Sequence, residues 1–203
     1  MPLFCGVLAA LILSRKTPRG HVINVVCLIL STVYLMWSVG AKIHVTQIAH
    51  ESLKRQSIGY HKLLTVAAPF NTLLWRVLVM DDRGYYEGFY SLFDKSRNIP
   101  FQYHPSESSV LRDIANQWPV KRLQWFTHGF YAVQRLSDDI VITDLRMGME
   151  PYYVFRFRVG KIGNPHASKT KSMQLVSEPD WDQMRWVWQR IWTNKPDIPN
   201  SLK

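Results

Sequence analysis

The chain has 203 residues, and its 25 lysines and arginines against 15 aspartates and glutamates give a net charge of +10. This excess of positive charge is typical of proteins that meet an anionic partner, either a nucleic acid or the anionic lipid surface of a membrane. The two cysteines are too few for a disulfide framework or a cysteine zinc site, so those two classes of small protein are excluded.

The N-terminal part contains two apolar segments that a short basic turn joins. The second segment, residues 22–41, contains no charged residue and is long enough to cross a hydrocarbon core of about 30 Å. A buried helix of a soluble protein is the alternative. The first segment, residues 2–14, is shorter than a spanning helix, so we expect that the chain begins inside a helix whose upstream part is missing. We therefore predict a transmembrane helical hairpin over residues 1–41.

Residues 42–68 are predicted to form a polar helix that leaves the membrane, followed by a linker. The predicted helix, residues 42–61, carries His44, His50 and His61. Their separations of six and eleven residues do not place two of them one turn apart on a helix, which a helical metal site requires. We interpret these histidines as solvent-facing or interfacial side chains.

Residues 69–160 are predicted to form an α+β domain on a mostly antiparallel sheet. Two β-prone runs at residues 72–80 and 85–93 flank the turn sequence DDRG, which predicts a hairpin with a glycine at positive φ. Residues 106–118 predict a short helix with Trp118 on its apolar face, Ser106 as its cap and Pro119 as its stop. Residues 123–136 are ambiguous between helix and strand, and we interpret the part from Phe130 onward as a strand.

A second hairpin is predicted over residues 140–159, with residues 147–151 as its loop. With that loop, Asp144 lies opposite Val154. One face of the ribbon is apolar, and the other carries the charged side chains of Asp144, Arg146, Arg156 and Arg158. The charged face is either a functional surface or a set of mutually neutralising ion pairs.

Residues 161–203 are predicted to be a linker, an amphipathic helix rich in tryptophan, and a polar tail. The linker is rich in glycine, asparagine, serine and lysine, and residues 177–180 resemble a capping box. The apolar stripe of the helix comprises Trp181, Met184, Trp188, Ile191 and Trp192. This stripe lies on the membrane interface or packs onto the sheet, and the pattern leaves both open.

Five polar residues of the predicted strands and loops are candidates for catalysis. They are Arg76, Glu87, Asp144, Arg146 and Glu150. The arginines are able to bind an anionic substrate in a bidentate manner, and Glu87 or Asp144 is able to act as a base. The alternative is that these charges neutralise one another on the sheet. The sequence has no nucleophile elbow, phosphate-binding glycine loop, zinc-ligand spacing or calcium loop, and its scattered basic residues do not favour specific nucleic-acid binding.

Several motifs in order resemble a known family. They are PFNTLLWR at residues 69–76, GYYEGFYS at 84–91, WFT with GFY at 125–131, and ITDLRMG followed by EP at 142–151. Together they resemble the C-terminal half of the bacterial inner-membrane metal-dependent hydrolases, also described as LexA-binding membrane-associated hydrolases. The resemblance covers about residues 3–160.

The resemblance implies a bacterial inner-membrane location and a divalent metal in the full-length family. The metal ligands of that family belong to an N-terminal membrane half, around a His-Arg-Gly stretch that has no counterpart here. The chain is therefore expected to be the membrane-anchored accessory part of such a hydrolase, with no cofactor of its own. The alternative is a non-enzymatic, membrane-anchored binding module for a protein partner or an anionic lipid surface.

Overall fold

The computed structural model describes residues 18–163, 168–175 and 181–193. The chain divides into two units, residues 1–44 and residues 45–203. Helix α1 (Pro18–Arg55) starts in the first unit and ends in the second.

The described part of the first unit is the apolar portion of α1. The segment His21–Arg55 has a mean hydropathy of 2.1 in its most apolar stretch, and none of that stretch is buried within the protein. Leu28, Leu35 and Met36 are among its exposed apolar side chains. A helix that is apolar on all sides and uncovered is suited to lipid rather than water. The part of the chain that the structure describes therefore contains one helix long and apolar enough to cross a membrane, which is consistent with membrane association.

The predicted hairpin of two transmembrane helices is not confirmed. The described residues contain one candidate span. The first predicted segment, residues 2–14, lies outside the described residues.

The second unit begins with the last turns of α1. Val45, Ile48, Ala49 and Leu53 are buried there, at the spacing of one helix face. Ser52 lies on the same face, and its hydroxyl oxygen accepts a hydrogen bond of 3.0 Å from the backbone N–H of Ile99. The polar segment predicted to leave the membrane is therefore packed against the domain along one side.

The first sheet consists of four antiparallel strands in sequential order. They are β1 (Lys62–Ala67), β2 (Leu74–Met80), β3 (Gly84–Ser91) and β4 (Phe101–Pro105). The β2–β3 pairing confirms the predicted hairpin. Gly84 is needed for a different reason than predicted: its φ is not positive, but a Cβ at this position would collide with the carbonyl oxygen of His104 on β4. Strand β1 occupies part of the stretch that was predicted to be a linker.

The second sheet also has four antiparallel strands, in the order β10-β9-β6-β5, and a two-stranded ribbon lies between two of them in the chain. Its elements are β5 (Tyr131–Leu136), β6 (Asp139–Asp144), β7 (Gly148–Met149), β8 (Tyr152–Tyr153), β9 (Arg156–Lys161) and β10 (Ser168–Leu175). Strand β5 confirms the strand predicted after Phe130. Strand β10 corrects the predicted linker after residue 160, because it pairs with β9.

The predicted register of the hairpin at residues 140–159 is wrong. Asp144 does not lie opposite Val154; instead Thr143 pairs with Arg156, and the N–H of Asp144 donates to the carbonyl oxygen of Phe155 at 2.9 Å. The physical reason is that the β7–β8 ribbon makes the connection longer than a five-residue loop. Strand β6 is central, and residues 140–144 are all buried. The register also places Arg156 and Arg158 opposite Thr143 and Val141, on the other face of the sheet from Asp144, so the predicted face that carries all four charges does not form.

The helix predicted at residues 106–118 is replaced by two shorter elements. A 3-10 helix spans Ser108–Ile114, and helix α2 spans Trp118–Phe126. Pro119 lies in the first turn of α2, where its missing N–H costs no hydrogen bond, so it starts a helix rather than ending one. Ser106 does not cap the 3-10 helix, and its hydroxyl oxygen accepts from the N–H of Val133 in β5 at 2.9 Å.

Helix α3 (Trp181–Trp192) packs onto the first sheet with a face that includes Ile191 of the predicted stripe but is otherwise rotated from it. The side chains of Trp186, Val187, Arg190 and Ile191 are buried. Trp188 and Trp192 of the predicted stripe are exposed, and the side chains of Trp181 and Met184 lie outside the described part. Arg190 lies on this buried face and forms a buried ion pair of 2.7 Å with Asp94. The predicted capping box and tail also lie outside the described residues.

The two sheets share one apolar cluster. It contains Leu78, Met80 and Tyr85 from the first sheet, and Ala132, Leu145 and Tyr153 from the second sheet and the ribbon. A side chain that points from β2 or β3 into this space is therefore removed from water. Arg76 and Glu87 share this face of the first sheet, since residues two apart on a strand point the same way.

Candidate functional site

Arg76 and Glu87 form an ion pair in the interior of the domain. The pairing of β2 with β3 sets Leu78 opposite Glu87, so Arg76 and Glu87 are diagonal neighbours on one face of the sheet. Nε of Arg76 donates to Oε1 of Glu87. Both side chains are only 6% exposed, so the pair is shielded from water.

The remaining donors of Arg76 connect the first sheet to the second. Nη1 donates to the carbonyl oxygen of Leu145 at 2.6 Å, just after β6. Nη2 donates to the phenolic oxygen of Tyr153 in β8 at 3.0 Å. One guanidinium thus contacts three separate parts of the chain, and each of its three nitrogens has a partner.

Two tyrosines and Glu150 extend this network. The Tyr85 hydroxyl donates to Oε2 of Glu150 at 2.7 Å, and the Tyr153 hydroxyl lies 3.3 Å from that of Tyr85. The backbone N–H of Glu150 lies 3.4 Å from Oε2 of Glu87. We call Arg76, Glu87, Tyr85, Tyr153 and Glu150 the inter-sheet cluster. It unites three of the five predicted candidates.

The two tyrosines of the inter-sheet cluster are members of this network that were not among the predicted candidates. A signal for Tyr85 was present, because it lies two residues before Glu87 on the same strand face. Tyr153 was predicted to lie on the apolar face of its strand. Nothing local distinguished it from Phe155 and Phe157, since its hydrogen bonds are made to residues far away in the chain.

Burial controls the ionisation of this cluster. It raises the pKa of Tyr85 and of Tyr153 far above the ordinary value, and neighbouring Glu150 and Glu87 respectively add to the effect. Burial lowers the pKa of Arg76, but the attraction of Glu87 and Tyr153 leaves that pKa above its ordinary value. The cluster therefore holds neutral tyrosines and a charged arginine at neutral pH.

Asp144 and Arg146 form a second, separate pair. The Arg146 guanidinium donates from Nε to Oδ1 at 3.0 Å and from Nη2 to Oδ2 at 2.7 Å, so the fork is already occupied by a protein carboxylate. The Arg146 N–H also donates to Oδ1 at 3.0 Å. These bonds to Asp144 raise the pKa of Arg146 despite its partial burial. The side chain of Asp144 is 2% exposed, and that of Arg146 is 26% exposed.

A cavity of about 350 Å³ brings the two arginines near each other. Arg76 and Arg146 line it together with Val66, Phe89, Met149 and Tyr152, and its wall is mainly apolar. An anion that enters must compete with Glu87 for one arginine and with Asp144 for the other. The cavity therefore offers an apolar space of defined shape, but protein carboxylates already neutralise the two arginines that line it.

Metal ligation has no support among the residues that the structure describes, where no three His, Cys, Asp or Glu side chains form a group able to hold an ion. The histidines considered above have other neighbours. His50 Nδ1 lies 2.7 Å from the Tyr60 hydroxyl, and His61 lies 3.8 Å from Asp82.

A different kind of site lies on the outside of α2. Trp118 and Trp125 are 73% and 62% exposed, and Lys121 and Arg122 lie between them in the helix and are exposed as well. The Arg122 guanidinium lies 4.4 Å from the ring centroid of Trp125. We call these four residues the outer face of α2. The sequence placed Trp118 on a buried face, because the helix was predicted to end there rather than to begin there.

Comparisons with protein-family models, with curated proteins and with solved structures give no match for this chain.

Proposed function

We propose that this chain is a membrane-anchored domain that acts as the accessory C-terminal part of a bacterial inner-membrane metal-dependent hydrolase. In this proposal α1 holds the domain at the membrane, and the metal-dependent chemistry belongs to the family's membrane half. The motif resemblance at residues 69–76, 84–91 and 142–151 supports the family.

The paired state of the candidate catalytic groups supports the accessory role. Arg76 is bound to Glu87, Arg146 is bound to Asp144, and Glu150 accepts from Tyr85. A general base needs a carboxylate within reach of the substrate proton, and an anion clamp needs guanidinium donors that are free. Here Arg76, Glu87 and Glu150 are used to connect the first sheet to the β7–β8 ribbon and its neighbouring segments, and Asp144 and Arg146 are used to bind each other.

Hydrolysis assays test this proposal. The purified chain in lipid nanodiscs is incubated with phosphoester and peptide substrates, with and without Mn²⁺ or Zn²⁺. We expect no turnover from the chain alone, and no change with Asp144→Asn or Arg146→Ala. Metal-dependent turnover that falls at least about tenfold in folded Asp144→Asn would assign catalysis to this domain and reject the accessory role.

The second proposed function is a non-enzymatic binding module that the membrane anchor holds at a surface. The outer face of α2 favours it, because two exposed tryptophans next to two cations are costly to leave in water and useful in a contact. In this proposal the domain binds a protein partner or an anionic lipid surface.

A further inference from the structure

We infer that the outer face of α2 docks onto anionic lipid headgroups. This inference deepens the second proposed function and rests on it. The four residues of the face, Trp118, Lys121, Arg122 and Trp125, are three, four and seven positions apart, so they project from one side of the helix. Val120, which is fully buried, anchors the opposite side in the domain core.

The tryptophans suit the boundary between water and lipid. Indole combines a large apolar ring with one N–H donor, and tryptophan is enriched at membrane–water interfaces for that reason. Phe126, 46% exposed at the end of α2, extends the apolar surface. A helix with aromatic and basic side chains exposed on one side is typical of segments that lie in the headgroup region.

The charge of the face is complementary to anionic lipid. Helix α2 has the sequence WPVKRLQWF and contains no acidic residue. The Arg146 guanidinium lies 4.8 Å from the ring centroid of Phe126, but its charge is paired with Asp144, so Lys121 and Arg122 supply the positive charge of the face. Beyond the C-terminal end of α2, Lys62 Nζ donates to the carbonyl oxygen of His128 at 2.7 Å. Basic residues near an anionic surface strengthen binding by about fivefold each.

The anchor in the same chain makes a lipid surface the best-supported occupant. The helix long and apolar enough to span a membrane belongs to α1, so a membrane-inserted chain keeps its domain permanently near headgroups. Tethering turns docking into an intramolecular step, for which even a weak face is sufficient. The net charge of +10 also favours an anionic surface as the binding partner.

Fluorescence quenching tests the docking. The full chain is incorporated into nanodiscs of phosphatidylcholine alone or mixed with phosphatidylglycerol, each with lipids brominated near the headgroup. We expect stronger tryptophan quenching in the anionic discs, which high salt abolishes. The double substitution Trp118→Phe and Trp125→Phe removes this component, whereas Trp188→Phe, at an exposed tryptophan of α3, retains it.

Charge reversal supplies the decisive comparison. Lys121→Glu with Arg122→Glu is expected to lower the ratio of docked to undocked domain by at least about 25-fold, at about fivefold for each lost cation. The matched pair Lys95→Glu with Lys161→Glu changes the net charge equally at exposed sites outside α2 and is expected to leave quenching unchanged. Equal losses in both pairs would overturn the inference, because they would indicate attraction by net charge alone.

Trp37 separates failure of docking from failure of anchoring. Trp37 lies in the apolar part of α1. For this measurement both types of disc contain lipids with bromines placed deeper in the acyl chains. The quenching that is lost on Trp37→Phe is the contribution of Trp37. Quenching of Trp37 without headgroup-dependent quenching of the α2 tryptophans overturns the lipid docking and leaves a protein partner for that face. Loss of Trp37 quenching overturns the membrane anchor as well.

Discussion

The inter-sheet cluster and the outer face of α2 use similar residues in opposite ways. Each places arginine next to aromatic rings: Arg76 lies 5.5 Å from the Tyr153 ring centroid, and Arg122 lies 4.4 Å from that of Trp125. In the cluster Arg76 and Glu87 are buried, Glu150 is half-buried, and all three are bound by the protein, whereas on α2 the cations and rings face solvent. The difference teaches that burial and partners, rather than residue type, separate a structural arginine from one available for contact.

Substitution in the inter-sheet cluster is expected to have the largest effect on stability. Arg76→Ala leaves Glu87 buried without its cation and should lower the free energy of unfolding by about 3–5 kcal/mol. Urea unfolding followed by tryptophan fluorescence measures it. Arg146→Ala is the matched control and should cost about 1–2 kcal/mol, because water replaces its partly exposed guanidinium.

The double substitution Arg76→Met with Glu87→Leu sharpens this test. It removes both charges together and should recover most of the loss, since no unpaired ion stays buried. If Arg76→Ala and Arg146→Ala destabilise the domain equally, the contrast between a buried pair and a partly exposed pair is wrong.

Alkaline pH is expected to weaken the inter-sheet cluster next. The folded state raises the pKa of Tyr85 and Tyr153 above the ordinary 10.0, so above pH 10 the unfolded chain loses two protons that the folded chain keeps. The contribution of the two tyrosines to the free energy of unfolding is therefore fully present below pH 10. It falls above pH 10, by up to about 3 kcal/mol per pH unit for the two groups. Unfolding free energies measured across this pH range test it. Tyr85→Phe with Tyr153→Phe should flatten the slope, and an unchanged slope would contradict the assignment.

Substitution on the outer face of α2 is expected to have the smallest effect on stability. Trp118→Ser with Trp125→Ser removes exposed side chains and should change the free energy of unfolding by no more than about 0.5 kcal/mol for each position. Val120→Ala on the buried side of the same helix should cost about 2 kcal/mol. Thermal unfolding monitored by circular dichroism compares these two variants with the unsubstituted protein. A large loss from the tryptophan pair would place these rings in the core and remove the basis for docking.

Local patterns predicted several elements, and long-range packing corrected others. The β2–β3 hairpin was predictable because its turn and its β-prone runs are adjacent in sequence. The start of α2 was mistaken because Pro119 is compatible with either end of a helical segment when only its neighbours are considered. Strand β10 was missed because its residues SKTKSMQL lack the apolar alternation of a strand, and pairing with β9 places them in the sheet.

In the candidate site, too, local patterns indicated some residues and long-range packing decided how they are grouped. The sequence analysis proposed Arg76, Glu87 and Glu150 as candidates for catalysis together with Asp144 and Arg146, as one set. In the structure the two sets form separate ion pairs, Arg146 with Asp144 and Arg76 with Glu87, although both arginines line one cavity. The outer face of α2 was not predicted at all, because exposure of Trp118 depends on where the helix begins.

By itself, the sequence determined a long apolar helix, an antiparallel α+β domain and a set of suspicious charges. Hydropathy, strand alternation and turn chemistry are local properties, so they can be followed along the chain. Only the tertiary structure decided which charges meet and which rings stay exposed. Arg76 and Tyr153 are separated by 77 positions, and Tyr85 and Glu150 by 65, so their hydrogen bonds exist only after two sheets have packed together.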